Sequence, residues 1–347
     1  MNEVGVTDRD GHRASFLAAA GHRILYAGLA AGLGLPHECG TGTCGSCKMT
    51  LLSGAVSPLW PKAPGARVCR AGNELLTCQT AALGPVELAT RAPVRVGVPA
   101  CRTVLGKLLK RRLLTDTVAS FSVALDQPMT YLPGQFVTLA GLGAVGPRAY
   151  SMTRHAPLDP QLEFLISRNP RGGFTPRLFD HWGAGQPVEV FGPLGRSTLR
   201  PDDDRPFLAI AGGSGIAGLL GIIDHALRTG YFGRHPSRLF FGLRDAASGY
   251  LLSELTERAE RAQGGLRVTV AFSDGDVPDG LAARHPGLTL TSGLVHEVAR
   301  TEIAANGPVS NRIYFVAGPP AMVNAAIGML VVEQKVSPTE IRYDRFG

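Results

Sequence analysis

Hydrophobic and polar positions follow three different patterns along the 347-residue chain. Up to about residue 95, short apolar strands accompany one Ala/Leu-rich helix that Pro36 ends. From about 101 to 200, short β-runs are broken by glycine and proline, which is typical of an antiparallel barrel. Beyond the acidic stretch 202–204, strands alternate with helices, which predicts a doubly wound parallel sheet. We therefore expect three domains, at 1–95, 96–204 and 205–347.

Apolar runs and their flanking residues predict the individual elements. The predicted strands are Ser15–Ala18, Lys48–Leu52, Val86–Ala89, Phe136–Leu139, Leu162–Ile166, Val188–Phe191, Phe207–Ala211, Arg238–Gly242, Val268–Phe272 and Ile313–Ala317. The predicted helices are Ile24–Ala31, Gly215–Leu227, Leu251–Ala262, Val295–Ala304 and Pro320–Glu333. Residues 57–65 contain three prolines and are predicted to be irregular, and 91–100 to be a linker.

Composition and charge exclude several classes of protein. The longest apolar run, Ile24 to Leu35, is too short to cross a bilayer, so we expect no membrane segment. No leader is evident at the N-terminus, and free thiols suit a reducing compartment, which predicts a cytoplasmic protein. Basic residues outnumber acidic ones by 9 to 6 through residue 95 and by 13 to 9 from 96 to 205. That excess is either a solvated face or a docking surface for an acidic protein, since no nucleic-acid-binding motif accompanies it.

Four cysteines give the most specific chemical signal. Cys39, Cys44 and Cys47 have the spacing C-x₄-C-x₂-C, and Cys78 lies about thirty residues on. This is the plant-type pattern of [2Fe–2S] ligands, and the glycines between them let the backbone wrap a cluster closely. A zinc site normally uses two C-x₂₋₄-C pairs, and disulfides suit small secreted chains, so both alternatives fit less well. Cys69 and Cys101 lie outside the pattern and are interpreted as ordinary thiols.

The string Arg148-Ala149-Tyr150-Ser151 is the candidate flavin motif of the middle domain. Residues two apart on a strand share a face, so an Arg and an aromatic ring can address one ligand. An Arg can pair with a pyrophosphate, a ring can stack on isoalloxazine and the Ser151 hydroxyl can reach flavin N5. A buried Tyr with a surface Arg is the alternative interpretation. Downstream, Gly173-Phe174-Thr175 forms a turn suited to holding phosphate on backbone N–H groups.

Two glycine turns in the last domain predict a nucleotide site. Gly213-Ser214-Gly215 follows an apolar strand and opens a helix, within a G-x-G-x-x-G string. The second strand ends in Arg244 where the Rossmann fingerprint has an acidic residue, which argues against a Rossmann dehydrogenase. A second turn, Gly318-Pro319-Pro320, again ends a strand and begins a helix. Such turns converge at the carboxyl edge of a parallel sheet, where ligands bind.

Taken in order, these motifs resemble the ferredoxin–NADP reductase superfamily with an N-terminal plant-type ferredoxin domain. Within it, the chain is most similar to reductase components of bacterial soluble diiron monooxygenases, of the toluene 4-monooxygenase reductase type. The narrower resemblance rests on Leu59-Trp60-Pro61, on 293–297 and on the ending 341–346. The resemblance implies a β-grasp ferredoxin domain, an FAD-binding β-barrel and an NAD-binding α/β domain.

The resemblance also assigns the sites. The cluster ligands are Cys39, Cys44, Cys47 and Cys78. It implies FAD bound by Arg148, Tyr150 and Ser151, with its pyrophosphate near Gly173, Phe174 and Thr175. It implies a nicotinamide cofactor bound by Gly213, Ser214, Gly215, Arg244, Gly318, Pro319 and Pro320. Ser151 and Phe346 are the two candidate catalytic residues. Phe346 either covers a flavin face or packs against the last strand.

Three positions bear on how the nicotinamide is used. The family's C-G-P-P turn has Ala317 in place of its cysteine, and its G-G-T-G-I-A-P string has Gly218 in place of its proline. Relatives that use NADP carry Ser-Arg at the end of the third strand, whereas this chain has Ser273-Asp274. A carboxylate repels a 2′-phosphate and accepts from a ribose hydroxyl, so NADH is the predicted donor.

The predicted activity is transfer of a hydride from NADH to FAD, then of single electrons to the cluster. The predicted acceptor is a Rieske-type ferredoxin, or directly the diiron hydroxylase, of a multicomponent monooxygenase. Rieske centres lie at roughly −150 to +300 mV against about −400 mV for plant-type clusters, so that transfer is downhill. One alternative is the reductase of an aromatic-ring-hydroxylating dioxygenase, and another is a redox-sensing module with degraded activity. We expect a monomer, and the terminal substrate is a property of another chain.

Overall fold

A computed structural model of the chain describes residues 1–156, 158–181, 183–246, 249–305 and 311–345. By contacts between Cα atoms it divides into two compact units. The first comprises 1–105, 137–149 and 188–194, and the second comprises 106–136, 150–187 and 195–347. None of the helices in the described ranges is both long and apolar enough to span a bilayer.

The described residues form strands and helices in the order that the three patterns predict. The strands are β1 (Asn2–Thr7), β2 (Arg13–Ala18), β3 (Leu33–Gly34), β4 (Lys48–Ser53), β5 (Val56–Pro58), β6 (Glu74–Leu76), β7 (Thr80–Ala82), β8 (Val86–Ala89), β9 (Arg95–Val96), β10 (Arg102–Leu113), β11 (Val118–Leu125), β12 (Phe136–Gly141), β13 (Arg148–Ser151), β14 (Gln161–Ser167), β15 (Pro187–Leu194), β16 (Phe207–Gly212), β17 (Ser237–Leu243), β18 (Leu266–Phe272), β19 (Leu288–Ser292), β20 (Ile313–Gly318) and β21 (Ile341–Arg345). The α-helices are α1 (Ile24–Ala30), α2 (Thr175–Asp180), α3 (Ala217–Arg228), α4 (Tyr231–Arg234), α5 (Leu252–Arg261), α6 (Leu281–Arg284), α7 (Val295–Ala305) and α8 (Pro320–Gly328).

The N-terminal sheet is a β-grasp arrangement with the strand order β2-β1-β8-β4-β6. β1 and β2 form an antiparallel hairpin, and β1 pairs in parallel with β8. Helix α1 buries Ile24, Leu25 and Leu29. Burying one face of a short strand and one stripe of a helix against each other removes the apolar surface of both from water.

The middle sheet has six strands in the order β13-β12-β15-β10-β11-β14. β10 pairs antiparallel with β11, and β11 with β14, with Phe121 opposite Phe164. β10 carries a bulge between Leu108 and Lys110. Burial alternates along the 12-residue β10, whereas β11 and β12 are mostly buried.

The C-terminal sheet is entirely parallel, in the order β19-β18-β17-β16-β20-β21. Every residue of β16 and β20 is buried, as expected for central strands covered on both faces. Arg342 of β21 pairs with the carboxylate of Asp203, at 2.7 Å between Nη2 and Oδ1, and donates to Thr198 O at 2.6 Å. Asp203, in the acidic stretch, is thus held to the last strand.

Some elements differ from those predicted. The segment predicted to be irregular contains β5 and a 3₁₀-helix at Pro64–Val68. Both tolerate proline, because Pro58 ends its strand and Pro64 occupies a first-turn position that needs no N–H donor. The predicted linker contains β9, which pairs with β3. The predicted helix at Gly215–Leu227 begins as a 3₁₀-helix (Gly213–Ile216), and the one at Pro320–Glu333 ends in a π-helical turn (Met329–Glu333).

Candidate functional site

The four cysteines of the motif lie together as two pairs. β4 and β6 pair with Lys48 opposite Leu76, so the residues just outside this pairing, Cys47 and Cys78, come to the same end of the two strands. Their Sγ atoms are 3.1 Å apart, well beyond the roughly 2.0 Å of a disulfide. All six cysteines of the chain are free thiols.

The second pair, Cys39 and Cys44, lies on the loop before β4. The N–H of Thr41 donates to Cys39 Sγ at 3.3 Å, and the N–H of Ser46 lies 3.5 Å from Cys44 Sγ. Hydrogen bonding with the Cys44 thiol outweighs burial and lowers the pKa of Cys39 to about 4. N–H donors aimed at sulfur favour the thiolate form, which is the form that binds iron. Three thiols on the loop before β4 and a fourth, Cys78, in the turn after β6 form two pairs that fit a [2Fe–2S] cluster, one pair for each iron.

Glycines in this loop are required by close approach as well as by backbone conformation. Gly42 and Gly45 have φ angles of +88° and +86°. A Cβ at Gly42 would lie 2.8 Å from the Gln79 side chain, and one at Gly45 would lie 2.8 Å from Val68. The N–H of Gly65 donates to Gly42 O at 2.8 Å, so the proline-rich segment supports the cluster loop.

The predicted flavin motif lies on β13. Ser151 is 5% exposed, and its Oγ has no hydrogen-bond partner among the described residues. A Cβ on Gly218, in the first turn of α3, would lie 3.5 Å from that Oγ. A buried hydroxyl without a partner is costly, so this site fits a bound group with a polar atom, as a flavin has.

The other flavin residues have different surroundings. The Tyr150 ring lies 5.8 Å from Phe174 and 6.4 Å from Phe164, centroid to centroid. The guanidinium of Arg148 lies 5.3 Å from the Trp60 ring and donates to the carbonyl of Pro147 at 2.9 Å. In this conformation Arg148 is engaged by its own chain.

The predicted pyrophosphate turn is open at one residue and closed at another. Nothing lies within 4 Å of a Cβ added to Gly173. The hydroxyl of Thr175 accepts the N–H of Asn169 at 2.8 Å, and the Phe174 side chain is buried. Gly173 therefore leaves room for a ligand, while Thr175 orders the turn.

The two predicted nicotinamide turns touch each other. β16 and β20 pair with Ala211 opposite Ala317, which brings the turns after them to one edge of the sheet. A Cβ on Gly215 would lie only 2.4 Å from Gly318 Cα, so the close packing of the turns requires glycine at 215. Ser214 lies within the first turn, and Pro319 and Pro320 begin α8 after the second.

Arg244 and Asp274 follow β17 and β18 at the same edge. The Asp274 N–H donates to Arg244 O at 2.7 Å, and the two side chains form an exposed ion pair. The sequence predicts that Arg244 binds the nicotinamide cofactor and that Asp274 accepts from its ribose hydroxyl, and the structure brings the two side chains together.

Ala317 and Gly218, the two departures from the family pattern, both have close neighbours. Ala317 is 4% exposed at the end of β20. A Cβ on Gly218 would lie 3.2 Å from Gly134 O and 3.4 Å from Ser151 Cβ. Gly218 therefore brings α3 close to the predicted flavin motif.

The two cysteines outside the cluster motif, Cys69 and Cys101, have ordinary thiol surroundings. Cys101 donates to Pro193 O at 3.0 Å, and burial raises its pKa to about 11. Burial also raises the pKa of Cys69, which is partly exposed. Phe346 lies outside the described residues.

Two residues near the cluster loop are not apparent from the sequence. The Gln79 side chain is buried beside Gly42, and neither its Oε1 nor its Nε2 has a partner in the described chain. Tyr26 donates from its hydroxyl to Gly40 O at 3.2 Å. Adjacency to Cys78 is the only sequence signal for Gln79, and nothing in the sequence links Tyr26 to residue 40.

Three domain families match the chain in the order of these sites. Residues 7–83 match the 2Fe-2S iron-sulfur cluster binding domain, 106–198 the oxidoreductase FAD-binding domain and 209–327 the oxidoreductase NAD-binding domain.

Relatives match this chain over nearly the whole length of both sequences. The chain is 34% identical over 334 residues to the alkene monooxygenase system, ferredoxin–NAD(+) reductase component, of Xanthobacter autotrophicus, covering 96% of this chain and 98% of the relative. It is 32% identical to ferredoxin–NAD(P)(+) reductase CarAd of Metapseudomonas resinovorans, covering 94% and 95%. A solved structure titled ferredoxin reductase in carbazole 1,9a-dioxygenase is 29% identical, with a TM-score of 0.81 over 100% of this chain and 99% of that one. The chain belongs to the family of reductases that join a [2Fe–2S] cluster domain to an FAD-binding domain and an NAD-binding domain.

Proposed function

We propose that this chain is the NADH-dependent electron-transfer reductase of a multicomponent oxygenase, most similar in role to reductases of diiron monooxygenases. The observation that carries the proposal is the approach of Gly218 to the unpartnered hydroxyl of Ser151. It brings the helix that follows the nucleotide turn to the flavin motif. A hydride donor and its acceptor need such a common site.

The cofactors supply the redox chemistry: FAD accepts a hydride and releases electrons singly, and a [2Fe–2S] cluster carries one electron at a time. Ser151 provides a hydrogen bond to the isoalloxazine edge, and Tyr150 provides an aromatic face. Gly173 leaves space for phosphate oxygens, and Arg148 adds positive charge on the same strand. The protein positions the cofactors, and the proposal requires no protein nucleophile or general base.

The nicotinamide half of the site is made by the two touching turns. Gly213, Ser214 and Gly215 provide backbone N–H groups for a pyrophosphate, and Gly318, Pro319 and Pro320 shape the wall for the nicotinamide. Asp274 accepts from a ribose hydroxyl and repels a 2′-phosphate, so NADH is the preferred donor. The ferredoxin–NAD(+) reductase component among the relatives supports that preference.

The cluster thiols form the exit for electrons. Cys44 is the partly exposed member of the four, while Cys39, Cys47 and Cys78 are buried. We propose a Rieske-type ferredoxin, or the diiron hydroxylase itself, as the acceptor. The relative from an alkene monooxygenase system supports a monooxygenase partner. The similar structure titled ferredoxin reductase in carbazole 1,9a-dioxygenase supports a second candidate role, the reductase of a ring-hydroxylating dioxygenase.

Steady-state reduction assays test the proposal. With NADH as donor, the holoprotein should reduce both ferricyanide and cytochrome c, and NADPH should be the poorer donor. A redox-sensing module would show neither activity at a sustained rate. Pairing the reductase with a Rieske ferredoxin and with a ferredoxin-free hydroxylase then distinguishes the acceptors. Failure to sustain NADH oxidation with any acceptor would contradict the proposed function.

A further inference from the structure

Tyr26 links the cluster loop to two strands of the flavin-binding barrel, and all of these contacts lie within the first compact unit. Its ring stacks on Phe191 of β15, with 3.9 Å between centroids and 5° between planes. Its hydroxyl lies 3.2 Å from Gly40 O and 3.0 Å from Thr138 Oγ1 of β12. One side chain of α1 therefore contacts the loop and both strands.

The proton positions of this network follow from its acceptors. A carbonyl oxygen only accepts, so the Tyr26 hydroxyl donates to Gly40 O. The Thr138 hydroxyl must then donate to the Tyr26 oxygen. Each polar atom has a defined role, and an exchange of Tyr26 for Phe leaves both Gly40 O and Thr138 without this partner.

The point that Tyr26 contacts is next to a cluster ligand. Gly40 follows Cys39 and has a φ of +67°. A Cβ added to Gly40 would lie within 3.8 Å of the side chains of both Tyr26 and Leu194. Because Leu194 is the last residue of β15, the loop approaches the end of this strand at the residue next to Cys39.

A second contact fixes the same two parts of the first unit. The ring of Trp60 lies 5.3 Å from the Arg148 guanidinium of β13. The Arg23 guanidinium lies 5.6 Å from the Tyr26 ring, so Tyr26 has aromatic contact on one side and a cation on another. Trp60 and Tyr26 thus attach the cluster domain to the strand that carries the flavin motif and to β12 and β15.

We propose that Tyr26 is a positioning residue that holds the cluster loop against β12 and β15 and so sets the rate of electron transfer from FAD to the cluster. The proposal rests on the proposed function. In the step, reduced FAD loses one electron and the oxidised cluster gains it, while the Tyr26 side chain is neither oxidised nor deprotonated. Transfer between bound cofactors falls steeply with their separation, so a loosened loop slows this step and leaves hydride transfer unaffected.

Anaerobic stopped-flow spectroscopy of the holoprotein separates the two steps. Tyr26→Leu should slow cluster reduction by about tenfold or more, and Tyr26→Phe and Thr138→Val by about two- to fivefold each. The rate of flavin reduction by NADH and the KM for NADH should stay at wild-type values. The EPR signal of the reduced cluster should also be unchanged, because the ligands remain. Tyr231→Phe is the matched control, since it removes a buried tyrosine hydroxyl that donates to Arg205 O in the second unit.

The outcomes distinguish this inference from the proposed function. If wild-type cluster reduction by NADH is observed and all three variants reproduce its rate, the role of Tyr26 is wrong while the proposed function stands. If the wild-type cluster is never reduced, the proposed function fails. If the Tyr26→Leu protein loses its cofactors, the rates of cluster reduction in Tyr26→Phe and Thr138→Val test the inference instead. Equal slowing of flavin and cluster reduction in those two would also overturn the positioning role.

Discussion

The guanidinium of Arg244 lies beside the carboxylate of Asp274, with 3.6 Å between Nε and Oδ2. The two residues end neighbouring parallel strands, and the backbone N–H of Asp274 donates to Arg244 O. Arg244, which is predicted to bind the nicotinamide cofactor, thus has a carboxylate next to it. With Asp274 at the ribose, as predicted, a 2′-phosphate would encounter both charges together.

Replacing Asp274 should therefore relax the choice between NADH and NADPH. In Asp274→Ser, Arg244 loses its neighbouring carboxylate and can pair with a 2′-phosphate. We expect kcat/KM for NADPH to rise by about tenfold and that for NADH to fall by less than about threefold. Steady-state kinetics with both donors measure the change. Asp279→Ser, which removes another exposed carboxylate, is the control. An equal gain in that variant would show that the change in net charge causes the effect.

Ala317 is buried at the end of β20, in the turn that is predicted to bind the nicotinamide. Ala317→Cys should restore the thiol that the wider family has there, strengthen charge-transfer absorbance and raise the rate of flavin reduction. Stopped-flow mixing with NADH gives both quantities. Ala317→Ser, which adds a side-chain atom without a polarizable sulfur, should not strengthen the absorbance. The same rate and spectrum in Ala317→Cys as in wild type would show that the small residue has no effect on this step.

Cys78 and Cys69 should respond differently to replacement. Cys78→Ala removes one member of the 3.1 Å thiol pair, so we expect loss of iron and of cluster absorbance. NADH-dependent ferricyanide reduction, which draws on the flavin, should persist while cytochrome c reduction is lost. Cys69→Ala should retain the cluster and both activities. Loss of the cluster in Cys69→Ala would show that the ligand set is wrong.

His155 and His225 form a half-buried pair that should make stability depend on pH. His155 Nε2 lies 2.8 Å from Tyr131 O and therefore carries the proton, which leaves His155 Nδ1 to accept from His225 Nδ1 at 3.1 Å and from Arg228 at 3.0 Å. Burial and the neighbouring cation lower the pKa of His155, and burial with the neighbouring His155 and Arg228 lowers that of His225 to about 4.

The sign of the effect follows from these lowered pKa values. In the unfolded chain both histidines bind protons near their ordinary pKa of about 6.5, whereas in the folded protein their lowered pKa values disfavour protonation. The stability that the neutral pair contributes is therefore complete above pH 6.5 and is lost as the pH falls toward about 4. Because of this pair, we expect the free energy of unfolding to be about 1 kcal/mol lower at pH 5 than at pH 7. Urea unfolding of His225→Gln should show a smaller pH difference than wild type. His181→Gln, at an exposed histidine, should match wild type, and a matching His225→Gln would contradict the assignment.

Much of the fold follows from local sequence signals. Central strands β16 and β20 are continuous apolar runs ended by glycine turns, so both the strands and the nucleotide site at their ends are predictable. Cysteine spacing and loop glycines predict the cluster ligands in the same way, and the structure places the free Cys47 and Cys78 thiols 3.1 Å apart, while the ligand roles remain predictions. Edge strand β19 was not predicted, because a partly exposed strand gives a weaker hydrophobic pattern.

The contacts that the sequence did not predict are long-range. Tyr26 meets Thr138 and Phe191 through tertiary packing, and no spacing in the sequence relates these positions. The side-chain direction of Arg148 toward Trp60 depends equally on how two segments meet. Residue roles at FAD and NADH remain predictions for the same reason, since they depend on distances to groups that only the bound cofactors define.

Anaerobic titration of the holoprotein with NADH, followed by visible absorbance and by EPR, measures whether electrons from NADH pass through the flavin to the cluster. We expect the flavin band to bleach, the signal of a reduced [2Fe–2S] cluster to appear, and the uptake to exceed two electrons per chain and approach about three. Uptake that stops at two electrons with the cluster still oxidised, or no bleaching at all, would contradict the proposed function.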